Sequence, residues 1–207
     1  MSGIGPQSSV DPPLFLIIAG PNGSGKSSIY SGVSIENVGR SVWIINPDVL
    51  TLRIGSVEGT DFAKSNLEAV KRIEAWLEAS INAHQSVGVE TVLSTPKYRR
   101  LVERARRLSF EVHLIYVVLD SVERNIERVQ LRVEKGGHAV PREKIVKRYA
   151  RSLKQLPWFM DAADRAWIYD NSGAAPKLIA EKSHGIVRVD TDALESIRAA
   201  LHAGESC

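Results

Sequence analysis

The chain has 207 residues, 43% hydrophobic and 25% charged, a balance that suits one α/β domain and excludes a disordered or collagen-like chain. Its 27 Lys+Arg against 24 Asp+Glu leave a formal net charge of +3, too mild an excess to mark a nucleic-acid binder. A single cysteine, Cys207, cannot form an internal disulfide, and the longest apolar run, Leu14 to Ala19, is far too short to cross a bilayer, so the cytoplasm is the expected compartment.

Residues 1–13 carry no basic segment and no apolar stretch, which reads as a flexible lead-in rather than a signal peptide. Residues 14–207 read as one domain. The continuous apolar run Leu14–Ala19 predicts a strand buried on both faces. Gly20 to Gly25 breaks it, and a helix is expected from Lys26. Ser41 to Ile45 predicts a second strand, stopped by Pro47. Apolar residues at helical spacing predict a long helix over about 62–85. A third strand is expected from Gly88 to Leu93, an Arg-rich helix from Tyr98 to Leu108, and a fourth strand from Glu111 to Leu119. Ser121 should cap a helix running to Lys135, and Pro141 should open the next, to Leu156. Ala166 to Tyr169 predicts a fifth strand. Lys177 to Ala180 and Ile186 to Val189 predict a short hairpin or edge, and Thr191 to His202 a final helix. Strands alternating with helices imply a parallel sheet with helices on both faces.

Gly20-Pro-Asn-Gly-Ser-Gly25-Lys26-Ser27 fits G-x-x-x-x-G-K-[ST], with a buried strand before it and a helix after it. Glycines let successive N–H groups curl toward phosphate oxygens, and the following helix adds its positive end. Gly23, Ser24, Gly25, Lys26, Ser27 and Ser28 are therefore the candidate nucleotide contacts. Lys26 is expected at the β- and γ-phosphates, and the Ser27 hydroxyl at Mg²⁺. The loop alone does not say whether the γ-phosphate goes to water or to another hydroxyl.

Asp48 follows the second strand, at the sheet edge where ligands bind, and is the candidate base. Its alternative is a helix cap. Glu90 and Thr91 lie inside the third strand. A buried Glu needs a partner, so Glu90 is a candidate for a metal-bound water or a substrate hydroxyl, or else an ion-paired residue. The fourth strand ends in Leu119-Asp120-Ser121, without the Asp-Glu pair of many motor and transport ATPases. Arg124, Arg128 and Arg132 recur every four residues on one helix face. With the turn Gly136-Gly137-His138 and then Arg148 and Arg151, they predict a moving lid over about 121–156 that neutralises a phosphoryl group in transfer. The alternative is a surface helix paired with Glu123, Glu127 and Glu134. Tyr169-Asp170-Asn171-Ser172 stands where a nucleotide base is often met, or is an ordinary turn.

The ordered combination of the loop at 20–27, Asn46-Pro47-Asp48, Glu90-Thr91, Arg128 and Arg132, Gly-Gly-His-Ala-Val-Pro at 136–141, and Arg148-Tyr149-Ala-Arg151-Ser-Leu153 resembles the zeta-toxin-like P-loop kinases, over about Leu14 to Ser172. The resemblance implies a nucleotide-kinase-like fold and a γ-phosphoryl transfer from ATP or GTP, with Mg²⁺, to a hydroxyl. In the founding toxins that hydroxyl belongs to UDP-N-acetylglucosamine. It also implies Lys26 and Asp48 as catalytic residues, Arg128 as a phosphate clamp and Glu90 as a substrate contact; the toxins' second clamping arginine has no clean counterpart, so Arg132 is the candidate to replace it, and Thr91 beside Glu90 is a further candidate substrate contact. Glu90 is followed by Thr91-Val92 where the toxins have Gly-Thr. An antitoxin does not follow from the residues. A 5′-hydroxyl polynucleotide kinase, motivated by the Arg99–Arg107 stretch, and a nucleotide-binding regulatory ATPase are the competing readings.

Overall fold

A computed structural model describes residues 11–32 and 42–205 of the chain. Its strands are β1 (Leu14–Ala19), β2 (Trp43–Ile45), β3 (Val87–Thr91), β4 (Glu111–Val118), β5 (Arg165–Asp170), β6 (Lys177–Ser183) and β7 (Ile186–Val189). Its helices are α1 (Lys26–Gly32), α2 (Pro47–Glu58), α3 (Phe62–Asn82), α4 (Arg99–Arg107), α5 (Val122–Glu134), α6 (Arg142–Ala162) and α7 (Glu195–Glu205). The strands form one sheet in the order β2-β3-β1-β4-β5-β6-β7. The first five run parallel, as expected, and β6 and β7 add the antiparallel edge.

β1 is central and buried along its whole length, which is why its sequence is apolar at every position rather than alternating. One face packs Phe15 and Ile17 against Ile73, Leu77 and Ile81 of α3, Leu101 and Val102 of α4, and Leu156 and Phe159 of α6. The other face joins Leu14, Leu16 and Ile18 to Ile29, Ile115 and Val117. The registers Ala19↔Thr91 and Ala19↔Tyr116 bring the C-terminal ends of β3, β1 and β4 to one edge. Everything that follows these strands opens there. The predicted N-terminal segment lies almost entirely outside the described residues, as does Ser41 of the predicted second strand.

Two elements depart from the periodicity. Helix α2 carries no apolar stripe, since Val49, Leu52 and Val57 face outward and its buried residues are Thr51 and Ile54. It is set instead by its ends: Asn46 caps it, Pro47 opens it, and Gly59 closes it in the left-handed conformation. Helix α6 runs on to Ala162 through Pro157, past the predicted stop at Leu156. Phe159 and Met160, both core residues, hold that last stretch against the sheet. Gly204 of α7 reaches Pro157 so closely that a β-carbon there would lie 2.4 Å from it.

The turn out of β1 depends on Gly20, at φ +142°, where a β-carbon would meet the Val117 carbonyl oxygen at 2.0 Å. Gly20→Ala should therefore cost about 2–4 kcal/mol and lower Tm by roughly 5–15 °C. Thermal unfolding of the purified variant checks this, and an unchanged Tm contradicts it.

Candidate active site

The loop between β1 and α1 is held by its carbonyls. Lys26 Nζ donates to the Gly20 and Pro21 oxygens at 2.9 and 3.1 Å. Asn125 of α5 donates to the Asn22 oxygen at 2.7 Å, and Asn171, just after β5, to the Ser24 oxygen at 2.8 Å. Asn171 lies so close to Gly25 that a β-carbon there would sit 2.2 Å from its amide nitrogen, with φ at +91°. Gly25 thus has both a conformational and a steric reason to be glycine. Ser24 is fully buried, its N–H turned back to the Pro21 carbonyl at 3.3 Å and its own carbonyl held by Asn171, so it shapes the loop rather than facing the cleft. Burial pushes the Lys26 ammonium below the usual lysine range, opposed by the charges of Glu90 and then Asp48.

Glu90 is 9% exposed and lies opposite Ile18 of β1, beside the loop. Its Oε2 accepts from the Ser27 hydroxyl at 3.0 Å and from Asn46 Nδ2 at 2.8 Å. The partners expected of a buried carboxylate thus include two neutral donors, and the Lys26 ammonium is close enough to feel its charge. The donors gathered here are oxygens, which suits a hard cation such as Mg²⁺. Among the described residues no group of three or more His, Cys, Asp or Glu could hold a metal ion by itself. The Ser27 hydroxyl and the Glu90 carboxylate, 3.0 Å apart, fit a Mg²⁺ whose further ligands come from phosphates and water. Thr91 accepts from the Leu93 N–H at 3.1 Å and braces a turn in which Leu93 takes φ +57°.

Asp48 is not the cap of α2. That role belongs to Asn46, whose Oδ1 accepts from the Asp48 and Val49 N–H groups. Asp48 stands in the first turn with a half-exposed carboxylate, 3.7 Å from Arg132 Nη1.

The arginines of α5 divide. Arg124 pairs with Asp120 at 3.1 Å and donates to the Ser172 carbonyl, so it closes the β5 end rather than facing the cleft. Arg128 donates to the Asn171 carbonyl at 2.9 Å, beside Gly25. Arg132 donates to the His138 carbonyl at 2.8 Å while its other nitrogen reaches Asp48. The His138 ring stacks on Phe62 at 3.8 Å, joining the α5–α6 turn to the start of α3. Helix α6 is anchored by Ser152, whose hydroxyl shares a hydrogen bond with Tyr116, and by Tyr149, which donates to the Leu119 carbonyl. This leaves the half-buried Arg148 at the cleft, whereas Arg151 is exposed outside it.

Two adjoining cavities result. One, of about 480 Å³, is lined by Gly23, Gly25, Ser27, Ser28, Arg128, Lys135 and Asn171. The other, of about 310 Å³, is lined by Asn46, Asp48, Thr91, Lys97, Tyr98 and Arg148. Gly23, Lys26, Glu90 and Arg132 line both. The larger cavity gathers Lys26, Arg128, Arg132 and Lys135 against one carboxylate, Glu90, which makes it a site for anions.

The sequence profile described as Zeta toxin matches residues 5–178. The chain belongs to the Zeta toxin family. An uncharacterised protein of Haemophilus influenzae is 26% identical over 134 residues, 65% of this chain and 91% of its own length. Among solved structures, AvrRxo1-ORF1:AvrRxo1-ORF2 with sulphate ions superposes with a TM-score of 0.68 at 16% identity, over 91% of this chain and 63% of that one. The same pair with ATP gives 0.66 at 17% identity, over 86% and 60%. The PezAT toxin-antitoxin system of Streptococcus pneumoniae gives 0.58 at 16% identity, over 97% and 87%. This Zeta toxin family member therefore spans less than two thirds of the AvrRxo1 chains it superposes on. At these identities the likeness is one of fold. Among the described residues no helix is long and apolar enough to cross a membrane.

Of the residues singled out in the sequence, the family member brings Lys26, Ser27, Ser28, Asp48, Glu90, Thr91, Arg128 and Arg132 to the two cavities, with Gly23 and Gly25. Three arginines of α4 have partners away from the two cavities: Arg100 with Glu78, Arg104 with Asn82, and Arg99 with Gln155 and the Trp158 ring. Asn125 had no assigned role in the sequence, Asn46 stood only as part of the Asn46-Pro47-Asp48 motif and Asn171 only in a stretch near a nucleotide base or in a turn, because each acts on a partner far away in the chain or on backbone. Removing the Asn171 amide frees the Ser24 carbonyl and loosens the loop. Asn171→Ala should weaken ATP binding about tenfold while lowering Tm by only about 2–4 °C, the cost of one hydrogen bond in a chain this size. Calorimetric titration checks it, and wild-type ATP affinity in a folded variant contradicts it.

Proposed function

We propose that this protein is a kinase that transfers the γ-phosphoryl group of ATP, or of GTP, to the hydroxyl of a small molecule. The observation that carries the reading is the pair of cavities that share Lys26, Glu90 and Arg132 as a common wall. The cation-rich cavity suits a nucleoside triphosphate, and the cavity holding Asp48 suits an acceptor. Membership in the Zeta toxin family suggests a nucleotide sugar such as UDP-N-acetylglucosamine as the acceptor class. The PezAT likeness suggests an antitoxin protein as the partner class.

The chain's own groups divide the work. Side chains engage the loop's carbonyls and the Ser24 N–H turns back to the Pro21 oxygen, so the loop's other N–H groups are what it offers to phosphate oxygens. Lys26 meets the β- and γ-phosphates, and anionic oxygens compensate the burial of its ammonium. Arg128 approaches the triphosphate from the nucleotide side. Arg132, which lines both cavities, neutralises the phosphoryl group as it passes between them. Mg²⁺, held at Ser27 with Glu90 behind it, would offset the charge gathering on the phosphates when bound. Asp48 takes the proton of the acceptor hydroxyl as its oxygen bonds to the γ-phosphorus and the bond from that phosphorus to the β–γ bridging oxygen breaks. The products are a phosphoester and the nucleoside diphosphate.

Asp48→Asn separates this from a hydrolytic role. Asparagine keeps the shape but cannot take a proton, and the α2 cap is unaffected because Asn46 supplies it. With γ-labelled ATP and a pool of hydroxyl metabolites, wild-type protein should place label in an acid-stable ester. The variant should do so roughly 10²–10⁴-fold more slowly, with ATP affinity within a few-fold. Label appearing only as free phosphate from wild-type protein contradicts the kinase reading. Undiminished transfer by the variant removes Asp48 as the base.

A further inference from the structure

One side chain joins the two halves of the cleft. Asn46 follows β2, and its Oδ1 accepts from Asp48 N at 2.9 Å and from Val49 N at 3.3 Å. Its Nδ2 donates to Glu90 Oε2 at 2.8 Å. The orientation of the amide is dictated by its neighbours: two backbone N–H groups require the oxygen, and the carboxylate requires the NH₂. The same Glu90 oxygen accepts from Ser27 at 3.0 Å. A continuous series of hydrogen bonds therefore runs from the phosphate-binding loop through Glu90 and Asn46 to the turn of α2 that carries Asp48.

Neither end of that series needs an asparagine by itself. Serine or aspartate caps a helix as well. A lysine or arginine would grip a carboxylate more strongly. Asparagine, short enough for a cap, carries an acceptor and a donor on separate atoms of one rigid plane and so serves both ends at once. We propose that Asn46 is a positioning residue that fixes Asp48 against Glu90, and so sets the acceptor-side carboxylate in register with the phosphate-side one. The inference rests on the phosphoryl-transfer reading above, because it assigns Asn46 the alignment of that reaction's base. Misplacement of a reacting group by about 1 Å costs on the order of 100-fold in rate, so loss of this series should act on kcat rather than on nucleotide affinity.

The test compares Asn46→Ser, which keeps a cap and loses the donor to Glu90, with Asn46→Ala, which loses both. Ligand-free Asn46→Ser should melt about 2–4 °C above Asn46→Ala, the contribution of the cap. Both variants should nevertheless lose kcat by a similar factor, about 10–100-fold, with Mg²⁺·ATP affinity within about threefold of wild type. A near-wild-type kcat in Asn46→Ser would show that Asn46 is a cap alone and overturn the proposal. A melting temperature of Asn46→Ser at or below that of Asn46→Ala would also overturn it, by making the role structural. A binding measurement stands apart from turnover: a non-hydrolysable ATP analogue with Mg²⁺ should slow hydrogen exchange at the Asp48 and Val49 amides several-fold in wild type and not in Asn46→Ser. Equal slowing in both proteins overturns the proposal. Should wild-type protein transfer no label to any hydroxyl, the kinase reading fails, and the exchange comparison still decides whether Asn46 couples the two sides.

Discussion

An ammonium group removed from water must recover its solvation from its neighbours, and Lys26 stands at that point of the fold. It is 7% exposed, and its nitrogen rests on two carbonyls of its own loop. Carbonyl dipoles return part of the solvation energy, and the nearby Glu90 and Asp48 carboxylates return more, yet burial still lowers its proton affinity. The loop, the sheet edge and the α5–α6 arm are arranged around this residue. β1 must be apolar on both faces to bring the loop to the centre of the sheet. Glycine must stand at Gly20 and Gly25 because the Val117 carbonyl and the Asn171 amide occupy the space a β-carbon would need. A polyphosphate is the kind of ligand that would satisfy the remaining positive charge of the larger cavity.

Much of this was legible in the sequence, for local reasons. A fully buried strand has an unbroken apolar run, and a phosphate loop has glycines at fixed offsets, so β1 and residues 20–27 announce themselves. The parallel core followed from alternating patterns, and the β6–β7 edge from short β-branched runs. The four-residue spacing of Arg124, Arg128 and Arg132 gave one helix face. It did not say that Ser172 and Asp120 would draw Arg124 away from the cleft, since those partners come from other elements. Helix α2 was missed because it packs with few buried side chains and is defined by its ends. Asn46 and Asn171 stood inside stretches the sequence singled out, but the partners they hold were not legible. Each acts across 44 and 147 residues of chain respectively, and no local pattern encodes a hydrogen bond of that reach.

The basic stretch on α4 illustrates the opposite case, a strong pattern with a plain cause. Arg99, Arg100 and Arg104 fasten α4 to α3 and α6 through Glu78, Asn82, Gln155 and Trp158, away from both cavities. Part of the charge that suggested a polynucleotide is engaged within the protein. The motif Arg148-Tyr149-Ala-Arg151-Ser152 resolves in the same way. Tyr149 and Ser152 hold α6 to the end of β4, and that anchorage brings Arg148 to the cleft. The helix face facing the sheet and the one facing the cleft are thus written in the same few residues.

The central claim is that a phosphoryl group passes through the wall shared by the two cavities. A crystal structure with Mg²⁺ and a non-hydrolysable ATP analogue tests it most directly. The account predicts the γ-phosphate beside Lys26 and Arg132, with one face open to the cavity that holds Asp48. A γ-phosphate facing away from that cavity, or seated out of reach of Lys26, would contradict it.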